Sequence, residues 1–190
     1  MDETNANAAV AAIADLMGAI TGSRRWLDDP DTSDTPRRVA QMYKELLTPK
    51  PFEFTTFPNP GYDQIILEMK IPFISLCAHH LVPFIGHAHV AYIPDKKIAG
   101  LSKLARTVET MARALQIQER MTQEIGKTIK HHLTPIGTAV IIEAQHLCMH
   151  MRGVKKAGII TKTSWMDGAF RDKPEAREEL MFLLQMQGGT

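Results

Sequence analysis

Two short stretches of this chain carry residue types that can do chemistry together. In Ser75-Leu76-Cys77-Ala78-His79-His80-Leu81-Val82-Pro83-Phe84, one of only two cysteines stands beside two adjacent histidines in an otherwise apolar run. The other cysteine lies in Glu143-Ala144-Gln145-His146-Leu147-Cys148-Met149, again close to a histidine. Cys77, His80 and Cys148 offer two thiolates and one imidazole, a ligand set that suits tetrahedral Zn²⁺. Three protein ligands leave the fourth position open, the arrangement of a catalytic site rather than a closed structural one. His79 and His146 then stand beside the metal as candidate proton carriers. The bland alternative is a pair of buried structural thiols and satisfied histidines in a sheet. It fits poorly, because each cysteine has its own neighbouring histidine.

Spacing constrains how these residues can meet. His146 and Cys148 are i and i+2, so on a strand both side chains share a face. Cys77 and His80 are i and i+3, which face apart on a regular strand, so one ion can take both only if the chain bends near Ala78. His87, His89, His131, His132 and His150 lack a paired thiol and read as strand-surface or helix-end histidines.

Two further clusters have the chemistry of substrate binding. Gly100-Leu101-Ser102-Lys103-Leu104-Ala105-Arg106 sets a hydroxyl, a lysine and an arginine around a helix start. Free N–H groups and the positive dipole end favour an anion there, and Lys103 and Arg106 add full charges. Arg152, shortly after Cys148, brings more positive charge toward the metal. The second cluster is Gln116-Ile117-Gln118-Glu119-Arg120. A glutamate at a helix start ordinarily complements the dipole, but a carboxylate can also accept from guanine N1–H and N2–H₂, with a neighbouring amide at O6.

The elements that must position these groups can be read along the chain. Residues 3–21 are alanine-rich with Val10, Ile13, Leu16, Met17 and Ile20 at helical spacing, which predicts an amphipathic helix. Thr35 and Pro36 supply an N-cap and a first-turn proline for a second helix to about Leu47. Residues 50–62, with Pro58-Asn59-Pro60-Gly61, read as a connector. Strands are expected over about 64–76, 84–92, 138–148 and 159–170, and helices over about 102–115, 118–132 and 174–184, with Ser102 capping the first of these. The order β-β-α-α-β-β predicts an α+β fold, an antiparallel sheet with helices on one face, preceded by N-terminal helices. The expected division is a helical region and connector over 1–62 and a catalytic domain over 63–190.

Composition excludes several classes. Lys plus Arg number 22 against 21 acidic residues, so no global basic surface argues for nucleic acid. No apolar run approaches the roughly 20 residues that span a bilayer, so no membrane association is expected. Met1-Asp2-Glu3-Thr4-Asn5 is acidic and polar, which argues against a signal peptide. Two cysteines make no disulfide framework, and a cytoplasmic protein keeps such thiols reduced.

Taken together, Cys77-Ala78-His79-His80-Leu81-Val82-Pro83-Phe84, Gly100 to Arg106, Gln116 to Arg120, and His146-Leu147-Cys148-Met149 with Met151-Arg152-Gly153-Val154 resemble the signature segments of GTP cyclohydrolase I. The resemblance runs from about Thr35 to the C-terminal helix. It implies a T-fold (tunnelling fold) core and a homodecamer of two pentamers with sites between subunits. It also implies conversion of GTP and water into 7,8-dihydroneopterin triphosphate and formate. By the same resemblance, Cys77, His80 and Cys148 are the Zn²⁺ ligands, His146 is the general acid/base and His79 a second proton carrier. Glu119 with Gln118 anchors guanine. Ser102, Lys103, Arg106 and Arg152 contact the triphosphate, and Arg38 reaches in from a neighbouring subunit. Three positions depart from the family pattern: Ala78 stands where glutamate is usual, Gln41 where a basic residue is common, and Gln145 where a smaller residue is. Two rival functions stay open at this point. One is a T-fold enzyme acting on a related purine or pterin, the other a non-catalytic zinc-stabilised ring that binds nucleotides.

Overall fold

The structure, a computed structural model, describes residues 3–186. Met1 and Asp2, part of the signal-peptide reading, and residues 187–190 at the end of the expected catalytic domain lie outside the described residues. The chain forms two compact units, residues 1–48 and 49–190. No helix among the described residues is long and apolar enough to cross a membrane.

The first unit pairs α1 (Glu3–Thr21) with α2 (Thr35–Leu47) through a 3-10 turn at Arg25–Leu27. Asp34, not Thr35, takes the cap position of α2. Its carboxylate bonds no backbone N–H of the first turn. It accepts instead from Arg37 at 2.8 and 2.5 Å and from Arg38 at 3.1 Å. Two guanidinium groups outcompete the cap, and they hold the Asp34 carboxyl below its ordinary range, Arg37 foremost.

The second unit is built on a five-stranded sheet. Its long strands are β2 (Ile66–Cys77), β3 (Pro83–Ile93), β6 (Gly137–His146) and β7 (Thr161–Gly168), paired antiparallel in that order. A bulge between Glu68 and Ile71, with Lys70 at φ 55°, explains why hydrophobic alternation along this strand is imperfect. Two helices, α3 (Ser102–Ala112) and α4 (Gln118–Leu133), connect the two hairpins. The expected β-β-α-α-β-β order is therefore present. Three short strands add to it. β1 (Thr56–Pro58), inside the expected connector, pairs with β4 (Lys97–Ala99), and β5 (Leu115–Gln116) runs parallel to the end of β2.

Side-chain parity sorts the core. Ala88, Val90, Tyr92, Val140 and Ile142 point to one face and pack against Leu104, Val108, Met121, Ile125 and Ile129 of α3 and α4. The opposite parity, Ala91 and Ala139, joins Ile65, Phe170 and Leu180 in a second cluster. Phe170 and Leu180 come from α6 (Ala169–Asp172) and α7 (Pro174–Gln185), so the C-terminal helix covers part of the other face. Close approach of α4 to β7 depends on Gly126, where a Cβ would overlap the Trp165 ring. Gly126→Ala is accordingly expected to destabilise the fold by about 1–3 kcal/mol despite better helix propensity. Urea unfolding measures this directly, and an unchanged midpoint would show that the α4–β7 seam is looser than the packing implies.

Candidate active site

The metal-capable residues converge at one end of the sheet. β2 stops at Cys77, and the chain turns back on itself there. His80 N and Leu81 N both bond Cys77 O, at 3.2 and 2.9 Å, while Cys77 N donates to Val82 O at 2.9 Å. Leu81 completes the reversal at φ 55°. This is the bend near Ala78 that the i, i+3 spacing required, and it brings His80 Nδ1 to 3.8 Å from Cys77 Sγ.

Cys148 arrives differently from the expectation. β6 ends at His146, and Cys148 lies on a single helical turn, α5 (Leu147–His150), not on the strand. The turn carries its thiol to 4.0 Å from Cys77 Sγ. The ligand atoms of Cys77, His80 and Cys148 all lie within 4.8 Å of one another. Tetrahedral Zn²⁺ with ordinary bond lengths needs about 3.8 Å between thiolates and about 3.5 Å between thiolate and imidazole, so this group fits a metal after small adjustments. Burial, and next the adjacent Cys77, push the Cys148 thiol up. Two thiols this close need a cation before both can ionise. Arg152 Nη1 lies 2.6 Å from His80 Nε2, which accepts from it. An imidazole that ligates a metal through Nδ1 carries its proton on Nε2, so a metal held that way by His80 would free Arg152 for another acceptor.

A cavity of about 240 Å³ opens over this group, lined among others by His79, His80, Glu119, His146 and Cys148. Its second wall is the start of α4, which the chain pins beside the metal-capable trio. Ala78 N bonds Gln116 O at 2.9 Å. The buried Gln116 amide then bonds Met111 O at 3.0 Å and Glu124 at 2.8 Å, and accepts from Arg120 at 2.9 Å. His146 stacks on Phe84, its cross-strand partner, with ring centroids 4.8 Å apart and 3° between planes. Burial lowers the His146 pKa and favours the neutral imidazole, with the Glu119 carboxylate opposing. His79 Nδ1 stands 4.0 Å from Cys77 Sγ.

The remaining residues singled out from sequence are placed as follows. Glu119 is exposed in the first turn of α4 and faces the cavity. Gln118 beside it is buried, with its carboxamide bonded to His146 at 2.8 Å. Ser102, Lys103 and Arg106 lie at the start of α3 and do not line the cavity. Ser102 is the first helical residue and makes no capping hydrogen bond; Leu101 holds the cap position, so the expected hydroxyl cap is absent. Arg38 belongs to the first unit, where it bonds Asp34. Sequence reasoning missed the parts played by Phe84, Gln116 and Arg120. Phe84 lay inside the signature segment, but only the strand register reveals its partner.

Comparison with known proteins gives this geometry a family. The family model of GTP cyclohydrolase I matches residues 10–185. The chain belongs to the GTP cyclohydrolase I family. GTP cyclohydrolase 1 of Thermoanaerobacter pseudethanolicus is 46% identical over 181 residues, covering 91% of this chain and 93% of that one. GTP cyclohydrolase 1 of Hydrogenobaculum sp. is 48% identical over 153 residues, with 80% and 84% covered. That of Chlorobium chlorochromatii is 49% identical over 156 residues, with 80% and 70% covered. As a GTP cyclohydrolase I family member the chain is an enzyme, a hydrolase, and its α+β core is the T-fold expected from the resemblance. The three positions expected to depart from the family pattern have ordinary local surroundings: Gln41 bonds Glu45 at 2.9 Å, Gln145 is exposed, and Ala78 is tied through its backbone to Gln116.

Proposed function

We propose that this protein hydrolyses GTP at C8 of the purine, releasing formate and 7,8-dihydroneopterin triphosphate, with Zn²⁺ held by Cys77, His80 and Cys148. The observation that carries this reading is the convergence of that ligand trio, His146 and Glu119 on one cavity. Zinc held there supplies a Lewis acid that activates water near neutral pH. The chain's own residues do the rest. Glu119 accepts from the N1–H and N2–H₂ of guanine and fixes the base across the cavity. His146 takes and returns protons as the imidazole ring opens and the ribose rearranges, with His79 as a second carrier. Ser102, Lys103, Arg106 and Arg152 hold the triphosphate, and Arg38 reaches a neighbour's site in a cytoplasmic decamer of two pentamers. The helical region and connector, 1–62, thereby serves assembly, and 63–190 the chemistry.

Ala78 sets the expected rate. Its methyl group cannot orient a neighbour, so His79 and His80 lose whatever a carboxylate at this position contributes, and small displacements of catalytic groups are costly. Wild-type protein is expected to turn GTP over slowly with normal zinc content, and Ala78→Glu to raise turnover without changing zinc stoichiometry. Formate release and the ultraviolet absorbance of the pterin measure both. If neither protein yields either product from GTP, the reading fails in favour of another purine or pterin substrate.

A further inference from the structure

Gln118 opens α4, is only 2% exposed, and has its carboxamide bonded at both ends. Its Nε2 lies 3.2 Å from Ile142 O, 3.0 Å from Thr161 O and 3.1 Å from Thr163 Oγ1. Its Oε1 lies 2.8 Å from His146 Nε2. Proton counting decides which end is nitrogen. Thr122 Oγ1 gives its one proton to the backbone oxygen of Gln118 at 2.7 Å. The 2.7 Å contact between the Thr122 and Thr163 hydroxyls is therefore donated by Thr163, whose oxygen is left to accept from Gln118. The carbonyls of Ile142 and Thr161 can only accept as well. A flipped amide would set its oxygen against three acceptors, so the oxygen faces His146. A carbonyl oxygen only accepts, so His146 Nε2 must donate.

We propose that Gln118 is a positioning residue that holds His146 as its Nε2–H tautomer and leaves Nδ1 as the nitrogen that takes and returns the proton. This deepens, and rests on, the reading of His146 as acid/base. Two contacts lock the ring: stacking on Phe84 sets its plane, and the bond to Gln118 sets its rotation within that plane. The supporting bonds close a circuit from Gln118 Nε2 through Thr163 and Thr122 to Gln118 O, each bond polarising the next. During turnover the His146 Nε2–H stays in its hydrogen bond to Gln118 Oε1. A proton accepted at Nδ1 gives the imidazolium, and the same nitrogen releases it. The Gln118 side chain has no free polar atom with which to read guanine, so its loss acts on kcat and leaves KM for GTP unchanged.

The test uses the zinc-loaded protein with ¹⁵N-labelled histidine, together with Gln118→Glu and Thr163→Val. In wild type, nitrogen NMR is expected to show the His146 proton on Nε2. Gln118→Glu removes the amide donors and is expected to lower kcat by up to about 100-fold with KM for GTP within about twofold. Thr163→Val keeps the side-chain shape, breaks the circuit at one bond, and is expected to lower kcat by about 3- to 10-fold with KM again unchanged. It keeps the test decisive where the buried carboxylate of Gln118→Glu prevents folding. An Nδ1–H tautomer in wild type would overturn the proposal, as would a raised KM with unchanged kcat in either folded variant. The tautomer is read without turnover. An Nε2–H signal in a protein that releases no formate from GTP would uphold the positioning by Gln118 and overturn the functional reading instead.

Discussion

Cys148→Ala and Cys77→Ser are each expected to lose most bound zinc and to retain below about 1% of wild-type turnover. Losing the Lewis acid forfeits several kcal/mol of barrier lowering, and each 1.36 kcal/mol is tenfold. The two thiols are 4.0 Å apart, and theirs is the one group of three metal-capable side chains found together among the described residues. The fold itself should survive. The main core lies between the sheet and α3 and α4; Cys148 packs at its margin, and Cys77, a buried core member, is replaced by a serine of nearly the same shape. Zinc content by elemental analysis, alongside a thermal melt, separates loss of the ion from loss of structure. Full zinc in both variants would show that the ion sits elsewhere.

The second large effect separates chemistry from recognition. His146→Ala should keep zinc and bind GTP but lower turnover by about 10²- to 10⁴-fold, the worth of a positioned proton carrier. Glu119→Ala should instead weaken GTP binding by roughly 10- to 100-fold, because it leaves two donors on the base without an acceptor. Both residues line the same cavity, and Glu119 is close enough for its charge to act on His146. The experiment is therefore equilibrium binding of GTP beside single-turnover kinetics for each variant. Equal losses of affinity in the two would contradict these separate roles.

How far the sequence reached depended on the range of the interaction concerned. The grouping of Cys77, His80 and Cys148 was legible because thiols and imidazoles are rare and chemically specific. The four long strands and the helices α3, α4 and α7 were legible because each carries enough alternating or periodic apolar residues to bury a face. β5 was not. Two residues have no period, and Leu115–Gln116 is a strand only because β2 offers it a partner. The same holds for β1, paired with β4 across the sequence. Cys148 was assigned to a strand because its local pattern continues that of β6, whereas the chain turns helical at Leu147.

Gln118 shows the limit within the site. Its place beside Glu119 suggested base recognition, yet its amide is held by acceptors 24 to 45 residues away. Nothing local announces such partners. Likewise the Asp34 carboxylate at the start of α2 bonds Arg37 and Arg38 instead of the first-turn N–H groups, and Ser102 lies one residue inside the start of α3, where it is no cap.

The most direct test of the account is a zinc titration of the metal-free protein with GTP present. Formate release should rise in proportion to bound zinc and level off at one zinc per chain, with one pterin formed per formate. Formate release at full rate from metal-free protein, or none from protein holding one zinc per chain, would contradict it.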